Sequence, residues 1–311
     1  MTILLGIFEE GLIYAVMALG VYITYKILDF PDLSVDSTFP MGAALTASAV
    51  LAGIHPVLTL PLSFLAGAAA GCVTGFIHVK LKVRDLLSGI IVMTGLYSLN
   101  LRFAGGRANV PVFARETIFE NRFLENVMPR EFAPCTAVLI LFATVLTCKA
   151  LLDLYLNTRS GFLLRAAGDN ETFVTSLAKD KGTVKIVGLA IANGFAALAG
   201  SVYCQHKGFF EISTGTGAIV IGLASVIIGL QVFCPDHRPY PGAHSFRLAG
   251  QTFRVRPTTA VIAGSVLYKA CISAAISMGL EANDLKLITS VLFLVILVVS
   301  TDRRKRGKVH A

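Results

Sequence analysis

Long apolar runs separated by short polar segments dominate the chain. An α-helix rises about 1.5 Å per residue, so about 20 apolar residues cross the roughly 30 Å hydrocarbon core of a bilayer. About nine runs come close to that length, at residues 6–28, 34–53, 57–79, 85–101, 133–156, 184–204, 217–233, 259–279 and 284–301. The pattern predicts an all-α, polytopic transmembrane helical bundle with about nine spans.

The composition supports this prediction. The 311 residues are 55% hydrophobic and 15% charged, and their mean hydropathy is +0.72. A soluble globule cannot bury so much apolar side chain, and a disordered chain needs low hydrophobicity and high charge density. The apolar runs are also continuous, whereas the strands of a membrane barrel alternate apolar and polar residues over about ten positions. Helical membrane spans are the class that remains.

The net charge of +8 indicates topology rather than nucleic-acid binding, because the basic residues form short clusters between apolar runs. The densest cluster is residues 303–308, and the positive-inside rule therefore predicts a cytoplasmic C-terminus. With nine spans, the N-terminus lies outside. Basic clusters in three loops, at residues 80–84, 159–185 and 238–256, fall on the cytoplasmic side of the same alternation.

The sequence does not predict a catalytic or metal centre. The six cysteines are scattered singly and the six histidines are dispersed, without metal-ligand spacing. The patterns H-E-x-x-H, G-x-S-x-G and the phosphate loop G-x-x-x-x-G-K-[ST] do not occur. We therefore predict a protein that is not an enzyme and that binds no metal or cofactor itself.

A first polar interruption, residues 30–38, separates the first two runs. Pro31 lacks a backbone donor and polar side chains follow it, so the segment predicts a helix break. Acidic groups at membrane depth typically line a path or cavity, which makes Asp32, Ser34 and Asp36 candidate translocation-path residues. The alternative is an ordinary interfacial turn in which Asp32 or Ser34 caps the second helix.

A second interruption, residues 209–217, separates the sixth and seventh runs. It aligns with the first in a short pairing of Phe30 with Phe209, Asp32 with Glu211, Leu33 with Ile212 and Ser34 with Ser213. Under the predicted topology the halves, about residues 6–130 and 184–301, form an inverted repeat with broken helices, a transporter signature. Chance similarity of short strings is the alternative. The further path candidates are Glu211, Ser213, Thr214 and Asn100, the last of which is equally compatible with an interfacial position.

The segment at residues 157–184 is predicted to be cytoplasmic. Its core, residues 158–171, combines small and apolar residues with charged ones, which is typical of a short amphipathic helix on the membrane surface. Gly168 is a suitable terminator for such a helix. A helix of this kind can dock another protein, whereas a solvated loop anchored at the interface is the alternative.

The order of these features resembles the permease subunits of bacterial ABC importers for branched-chain amino acids and ribose. The segments that carry the resemblance are GLIYAVMALG at residues 11–20, DLSV at 32–35, residues 161–171, AALAG at 196–200 and GTG at 215–217. The match runs from about residue 11 to residue 300. Within that family, the chain is most similar to permeases of amino-acid importers of the tryptophan or tyrosine type.

The resemblance implies the fold of a type II ABC importer in the bacterial inner membrane. Such permeases work as homodimers, or as pairs of related permeases, on two cytoplasmic ATPases that bind ATP and Mg²⁺. An extracytoplasmic binding protein delivers the solute. The expected function is therefore import of a small solute, an aromatic or branched-chain amino acid, driven by ATP hydrolysis on another subunit.

The resemblance also assigns a role to the amphipathic segment. Residues 161–171 correspond to the coupling helix, which sits in a groove of the ATPase. The implied contact residues are Arg159, Gly161, Phe162, Leu163, Arg165, Ala166, Gly168, Asp169, Asn170 and Glu171.

Two acidic residues depart from the family pattern: Asp36, where sugar permeases commonly have Gly, and Glu211. Either carboxylate can meet a substrate amino group or cap a helix N-terminus, where the helix dipole favours negative charge. The inverted repeat alone also permits an ion- or proton-coupled secondary transporter, with Asp32, Asp36 and Glu211 as coupling-ion sites. A coupling helix favours the importer, because a secondary transporter has no ATPase to bind.

Overall fold

The computed structural model describes residues 2–113, 115–121, 133–169, 180–234, 244–248 and 251–277, together with isolated positions between 287 and 298. Its helices are α1 (Thr2–Tyr22), α2 (Val35–Leu51), α3 (Pro56–Lys80), α4 (Asp85–Phe103), α5 (Ala133–Leu156), α6 (Arg159–Asp169), α7 (Lys181–Lys207), α8 (Ala218–Phe233) and α9 (Pro257–Ser277). A π-helical turn, Ile23–Ile27, extends α1, and a 3₁₀ turn, Ile212–Gly215, precedes α8. The strands are β1 (Asn109–Pro111), β2 (Phe209–Glu211), β3 (His244–Leu248) and β4 (Gln251–Val255).

The predicted all-α bundle is confirmed. In the described part of the chain, seven helices are long and apolar enough to cross a membrane. They correspond to the first predicted run and to the third to eighth. The second run forms α2, a helix of 17 residues that spans about 26 Å. The ninth predicted run, residues 284–301, falls largely outside the described residues, so the count of nine stays a prediction.

Helix α7 lies at the centre of the bundle, where it packs against α1, α2 and α3. Close approach between α2 and α7 depends on glycine. The carbonyl oxygen of Ala197 lies where a side chain on Gly42 would stand, and the carbonyl oxygen of Phe39 does the same at Gly200. Small residues let membrane helices approach closely and gain van der Waals contact. The largest buried hydrophobic cluster draws most of its residues from α1, α5 and α7.

The two predicted halves pack through corresponding helices. Helix α7 of the second half contacts α3 of the first, and α1 of the first half contacts α9 of the second. In each half the broken helix pair, α1 with α2 and α7 with α8, supplies the central elements. This packing is compatible with an inverted repeat, and the halves and their boundaries stay a prediction.

Two small antiparallel sheets are elements that the sequence did not predict. Strands β3 and β4 form a hairpin between α8 and α9, within the predicted basic loop. Strand β1 pairs with β2, with Asn109 opposite Glu211 and Pro111 opposite Phe209. The β1–β2 sheet matters for function, because it fixes the start of the second interruption to the segment that follows α4.

Candidate translocation and coupling site

The first break begins where α1 ends in its π-helical turn. Leu28 N donates to Ile23 O at 2.9 Å, and Phe30 N then donates to Thr24 O at 2.9 Å. A π-helical turn inside a helix is rare and is frequent at functional sites. Between this turn and Ser34 the backbone is irregular, so the predicted helix break is confirmed.

Asp32 ties this break to the centre of the bundle. Its Oδ1 accepts hydrogen bonds from the backbone N–H of Ser34 at 2.9 Å and from Ser34 Oγ at 2.6 Å. Its Oδ2 accepts a hydrogen bond from Asn193 Nδ2 at 2.7 Å. All three residues are buried. A buried carboxyl group that three donors satisfy joins the two halves and rigidifies the core around it.

The depth of this bond decides between the two interpretations of the first break. Asn193 lies near the middle of α7, about 18 Å from Lys181 and about 21 Å from Lys207 along the helix axis. An interfacial turn would lie beside a helix end. The position of Asp32 therefore favours a break at membrane depth, where irregular backbone has to be buried in protein or line a cavity.

Asp36, on the first turn of α2, caps a helix of the other half. Its Oδ2 accepts from the N–H of Gly217 at 3.1 Å, and its Oδ1 accepts from the N–H of Ile219 at 2.7 Å. These N–H groups belong to the start of α8, where no intrahelical acceptor is available. Asp36 was predicted either to meet a substrate amino group or to cap a helix, and these two bonds are those of a helix cap.

The second break repeats the side-chain bond of the first. Glu211 Oε1 accepts from Ser213 Oγ at 2.5 Å, as Asp32 Oδ1 accepts from Ser34 Oγ at 2.6 Å. These are the residues that the sequence pairing matches. Thr214 Oγ1 adds a bond to the carbonyl oxygen of Glu211 at 2.7 Å. The shared geometry supports a true repeat over a chance similarity of short strings.

The two breaks differ in access to the surface of the chain. Three of the predicted path residues are fully buried, namely Asp32, Ser34 and Asn100. Asn100 Nδ2 donates to the carbonyl oxygen of Ser37 at 2.9 Å and so holds α4 against α2. The other predicted path residues are half-buried or exposed and lie together at the second break: Asp36, Glu211, Ser213 and Thr214.

The side chains at the second break offer hydrogen-bonding and charged groups, which suit the binding of a polar solute. Carboxylate and hydroxyl groups bind a polar solute through hydrogen bonds and charge. Within the described residues, no group of three or more His, Cys, Asp or Glu side chains could hold a metal ion. The arrangement can bind and release a solute, and the role of these residues in a path stays a prediction.

The third predicted segment folds as the amphipathic helix α6. Its buried face carries Gly161, Leu164 and Ala167, whereas Arg159 and Phe162 are exposed. The helix was predicted, and the alternative of a solvated loop is wrong for this stretch. Among the other predicted coupling residues, Leu163, Arg165, Ala166 and Gly168 are half-buried, while Asn170, Glu171 and the side chain of Asp169 lie outside the described residues.

Helix α6 packs directly against the first break. Gly168 approaches the carbonyl oxygen of Ile27 so closely that no side chain fits between them. The side chains of Leu164 and Leu28 converge on Gly188 of α7, where an added Cβ would lie 2.6 and 2.8 Å from them. A displacement of α6 therefore presses on the π-helical turn and on the backbone that leads to Asp32.

Sequence reasoning missed Asn193 and a cluster of charges around Glu10, near the middle of α1. Glu10 Oε1 accepts from Lys207 Nζ at 2.8 Å, and Glu10 Oε2 accepts from Lys269 Nζ at 3.1 Å. The Lys269 ammonium also lies 4.2 Å from the centre of the Tyr14 ring. The cluster joins α1, α7 and α9. A single Asn or Lys in an apolar run is the signal that could have found these residues, because polar groups inside membranes usually have a partner.

Comparison with known proteins assigns the chain to a family. Residues 3–300 match the family described as the permease component of branched-chain amino acid transport systems. The chain belongs to this permease family. Membership confirms the predicted permease function and, together with the apolar helices, identifies a multi-pass membrane protein that transports rather than catalyses.

Three relatives show where this permease falls among transport proteins. It is 41% identical over 311 residues to the tyrosine transport system permease protein of Clostridioides difficile, across 100% of this chain and 96% of that protein. It is 30% identical over 306 residues to an uncharacterized protein of Rickettsia prowazekii, across 98% and 99% of the two chains. Identity to the ribose import permease of Escherichia coli is 25% over 226 residues, across 73% and 68%. No solved structure matches the chain.

Proposed function

We propose that this permease is the transmembrane subunit of an ATP-driven importer and that its cargo is an aromatic amino acid. The observation that carries the proposal is the placement of α6. One face of this helix is exposed, and the other packs against the first break. A helix in this position can bind an ATPase on one side and displace the transport core on the other.

The exposed face of α6 suits a protein partner. Phe162 exposes 51% of its surface, and the Arg165 guanidinium lies 5.7 Å from the centre of its ring. Aromatic and arginine side chains are enriched where protein interfaces gain most of their binding energy. Because the sequence lacks a phosphate loop, the partner that binds ATP and Mg²⁺ is a separate ATPase dimer.

The solute path runs along the second break and is closed by a second copy of the permease. Glu211 forms no salt bridge with the basic side chains described in the structure. A carboxylate without a basic partner suits the ammonium group of an amino acid. The name of the tyrosine transport relative supports an aromatic side chain on that amino acid.

The proposed orientation places the N-terminus outside and the C-terminus in the cytoplasm. Residues 102–131 and 209–217 then both lie on the outer side, and the pairing of β1 with β2 joins these two segments. An extracytoplasmic binding protein delivers the solute to this side. Helix α6 lies on the cytoplasmic side, where the ATPases are.

Transport follows by alternating access. Closure of the ATPases on ATP draws the two copies of α6 together, and the contact of Gly168 with the Ile27 carbonyl passes this displacement to the first break. Because Asp32 is bonded to Asn193, α7 moves with it. The permease dimer then changes the side to which its central path opens.

Co-purification tests the proposal. The permease is co-expressed with a candidate ABC ATPase, purified in detergent and assayed for subunit ratio and ATP hydrolysis. We expect about one ATPase per permease, and we expect Phe162→Asp and Arg165→Glu to lose the ATPase or its stimulation by the loaded binding protein. Lys82→Glu, an exposed charge reversal outside α6, is the matched control. A permease that purifies alone and transports in a proton or sodium gradient would instead be a secondary transporter.

A further inference from the structure

We infer that Asp36 is a positioning residue for transport, a clasp by which the first half holds the second break in the shape that presents Glu211, Ser213 and Thr214. The inference rests on the proposed transport function. It concerns a contact between α2 and α8 that joins residues far apart in the sequence, and it assigns Asp36 a role without contact to the solute.

The clasp consists of two hydrogen bonds to one helix end. Each carboxylate oxygen of Asp36 accepts from a different backbone N–H, that of Gly217 at 3.1 Å and that of Ile219 at 2.7 Å. The positive end of the α8 dipole faces this carboxylate. Neither N–H has an acceptor within α8, so the carboxylate supplies the partner that the helix end lacks.

The backbones meet at the same place. Gly215 approaches the carbonyl oxygen of Asp36 so closely that no side chain fits between them, and an added Cβ would also lie 2.6 Å from the ring of Pro40. Gly217 has a φ of +84°, a conformation that favours glycine. The 3₁₀ turn therefore packs directly against the first turn of α2, and the Asp36 carboxylate holds it there through its bonds to Gly217 and Ile219.

The same turn of α2 is also fixed to α7. Asp32 and Ser34, immediately before α2, bind Asn193, whereas Asp36 binds the start of α8. The N-terminal end of α2 thus joins both helices that flank the second break. It holds the end of the break, while the pairing of β2 with β1 holds its beginning.

The polar residues of the second break lie between the β1–β2 pairing and the Asp36 bonds, which fix its two ends. Glu211 is the last residue of β2, Ser213 and Thr214 lie in the 3₁₀ turn that follows it, and the side-chain hydrogen bonds of the three residues are to one another. No other described side chain bonds to the carboxylate of Glu211. Its orientation therefore depends on the shape of the backbone, which the clasp sets.

Hydrogen exchange on the purified full-length permease tests the clasp directly. In the wild type we expect slow exchange at the amides of Gly217 and Ile219. Asp36→Ala should raise that exchange about tenfold while the amides of α8 beyond Gly222 keep their protection. Asp36→Asn, which retains one acceptor oxygen, should give an intermediate value. Equal exchange in all three proteins would overturn the inference.

Transport by the reconstituted complex provides the second readout, with L-tyrosine as the probe. We expect Asp36→Ala to lower tyrosine transported per ATP hydrolysed about tenfold, and Asp36→Asn to restore part of it. The control is Asp85→Ala, which removes an acid from the first turn of α4 and should leave the ratio at the wild-type value. Unchanged transport in Asp36→Ala would also overturn the inference.

The two readouts separate the inference from the function on which it rests. If the wild-type permease does not transport with an ATPase, the proposed function fails. The exchange rates at Gly217 and Ile219 still show whether Asp36 holds the start of α8. Faster exchange with normal transport would mean that Asp36 is a structural cap only, which contradicts its assignment as a positioning residue.

Discussion

The two breaks contain the same bond between a carboxyl group and a serine, yet they differ in what surrounds it. At the first break, the second oxygen of Asp32 accepts from Asn193, and the whole group is buried. At the second break, Glu211 bonds Ser213 in the same way, but the group reaches the surface of the chain. At the first break, the third side chain, Asn193, therefore makes the Asp32–Ser34 pair part of the contact between α7 and the break. The carboxylate of the other copy has no such third partner among the described side chains.

Under the proposed function, the two breaks have different tasks. The first break joins α1, α2 and α7 and receives the contact of α6. The second break carries the accessible polar groups and is joined to α2 by the Asp36 bonds. Variants that separate stability from transport therefore test whether the first break is the structural one and the second the one that meets the solute.

Asp32→Ala should have the largest effect. It removes the acceptor shared by Asn193 Nδ2, Ser34 Oγ and the Ser34 N–H. Nδ2 keeps the carbonyl oxygen of Leu189 and Oγ keeps Asn193 Oδ1, but the buried Ser34 N–H loses its acceptor, and the free energy of unfolding falls by about 3 kcal/mol. Thermal unfolding of the purified permease in detergent measures this loss. Asp32→Asn keeps the volume and one acceptor, so it should lose less. If Asp32→Ala unfolds like the wild type, the first break is not the structural one.

Gly168→Leu should come next, because its side chain has to displace the Ile27 carbonyl or move α6 away from the first break. We expect the ATPase to remain bound while its stimulation by the loaded binding protein falls at least about tenfold. ATP hydrolysis by the purified complex measures the change. Gly95→Leu is the control, since nothing lies within 4 Å of the position of its added Cβ. Normal stimulation in Gly168→Leu would show that α6 does not act through this contact.

Glu211→Gln should have the opposite effect to Asp32→Ala: it should lower transport and leave stability nearly unchanged. Because the Glu211 carboxylate is accessible and bonds only Ser213 among the described side chains, the free energy of unfolding should change by less than about 0.5 kcal/mol. Transport of tyrosine per folded complex should nevertheless fall about tenfold, through loss of the charge that meets the ammonium group. Transport should also fall further than in Asp32→Asn. Equal transport loss in both variants, or none in Glu211→Gln, would favour a merely local role for Glu211.

Asp180→Asn should have the smallest effect, because this cap is exposed. Asp180 accepts from Thr183 Oγ1 at 2.8 Å and from the N–H of Gly182 at 2.9 Å, and these bonds lower the pKa of its carboxyl group. A lowered pKa stabilises the folded state at neutral pH, and that contribution is lost as the pH falls through the pKa of the folded state. Thermal unfolding across an acidic pH series should show a slightly shallower decline for the variant. A large loss at neutral pH would mean that exposed caps resemble the buried ones.

The sequence pattern was sufficient for the helices and for the positions of the breaks. Apolar runs of the right length predicted the spans, and the polar residues around Asp32 and Glu211 predicted the interruptions. The same pattern predicted the amphipathic helix α6, because small and apolar residues there are combined with charged ones. These features depend on local periodicity, which a single sequence contains.

The contacts that join the breaks could not be read from the sequence. The bonds of Asp36 to the start of α8 connect residues that are far apart in the chain, and no local pattern encodes such a pairing. Asn193 and Lys269 were overlooked because each is a single polar residue in an apolar run. Their importance depends on the partners, Asp32 and Glu10, that the packing brings to them. The strand pair β1–β2 was likewise missed, because each strand is only three residues long.

The central claim is that ATP hydrolysis on a separate subunit drives an aromatic amino acid through this permease. The most direct test is uptake of labelled L-tyrosine into proteoliposomes that contain the permease and its ATPase, with ATP inside and the binding protein outside. We predict uptake that requires ATP and is lost without the ATPase. Uptake that a proton or sodium gradient supports in the absence of the ATPase and ATP would contradict this claim.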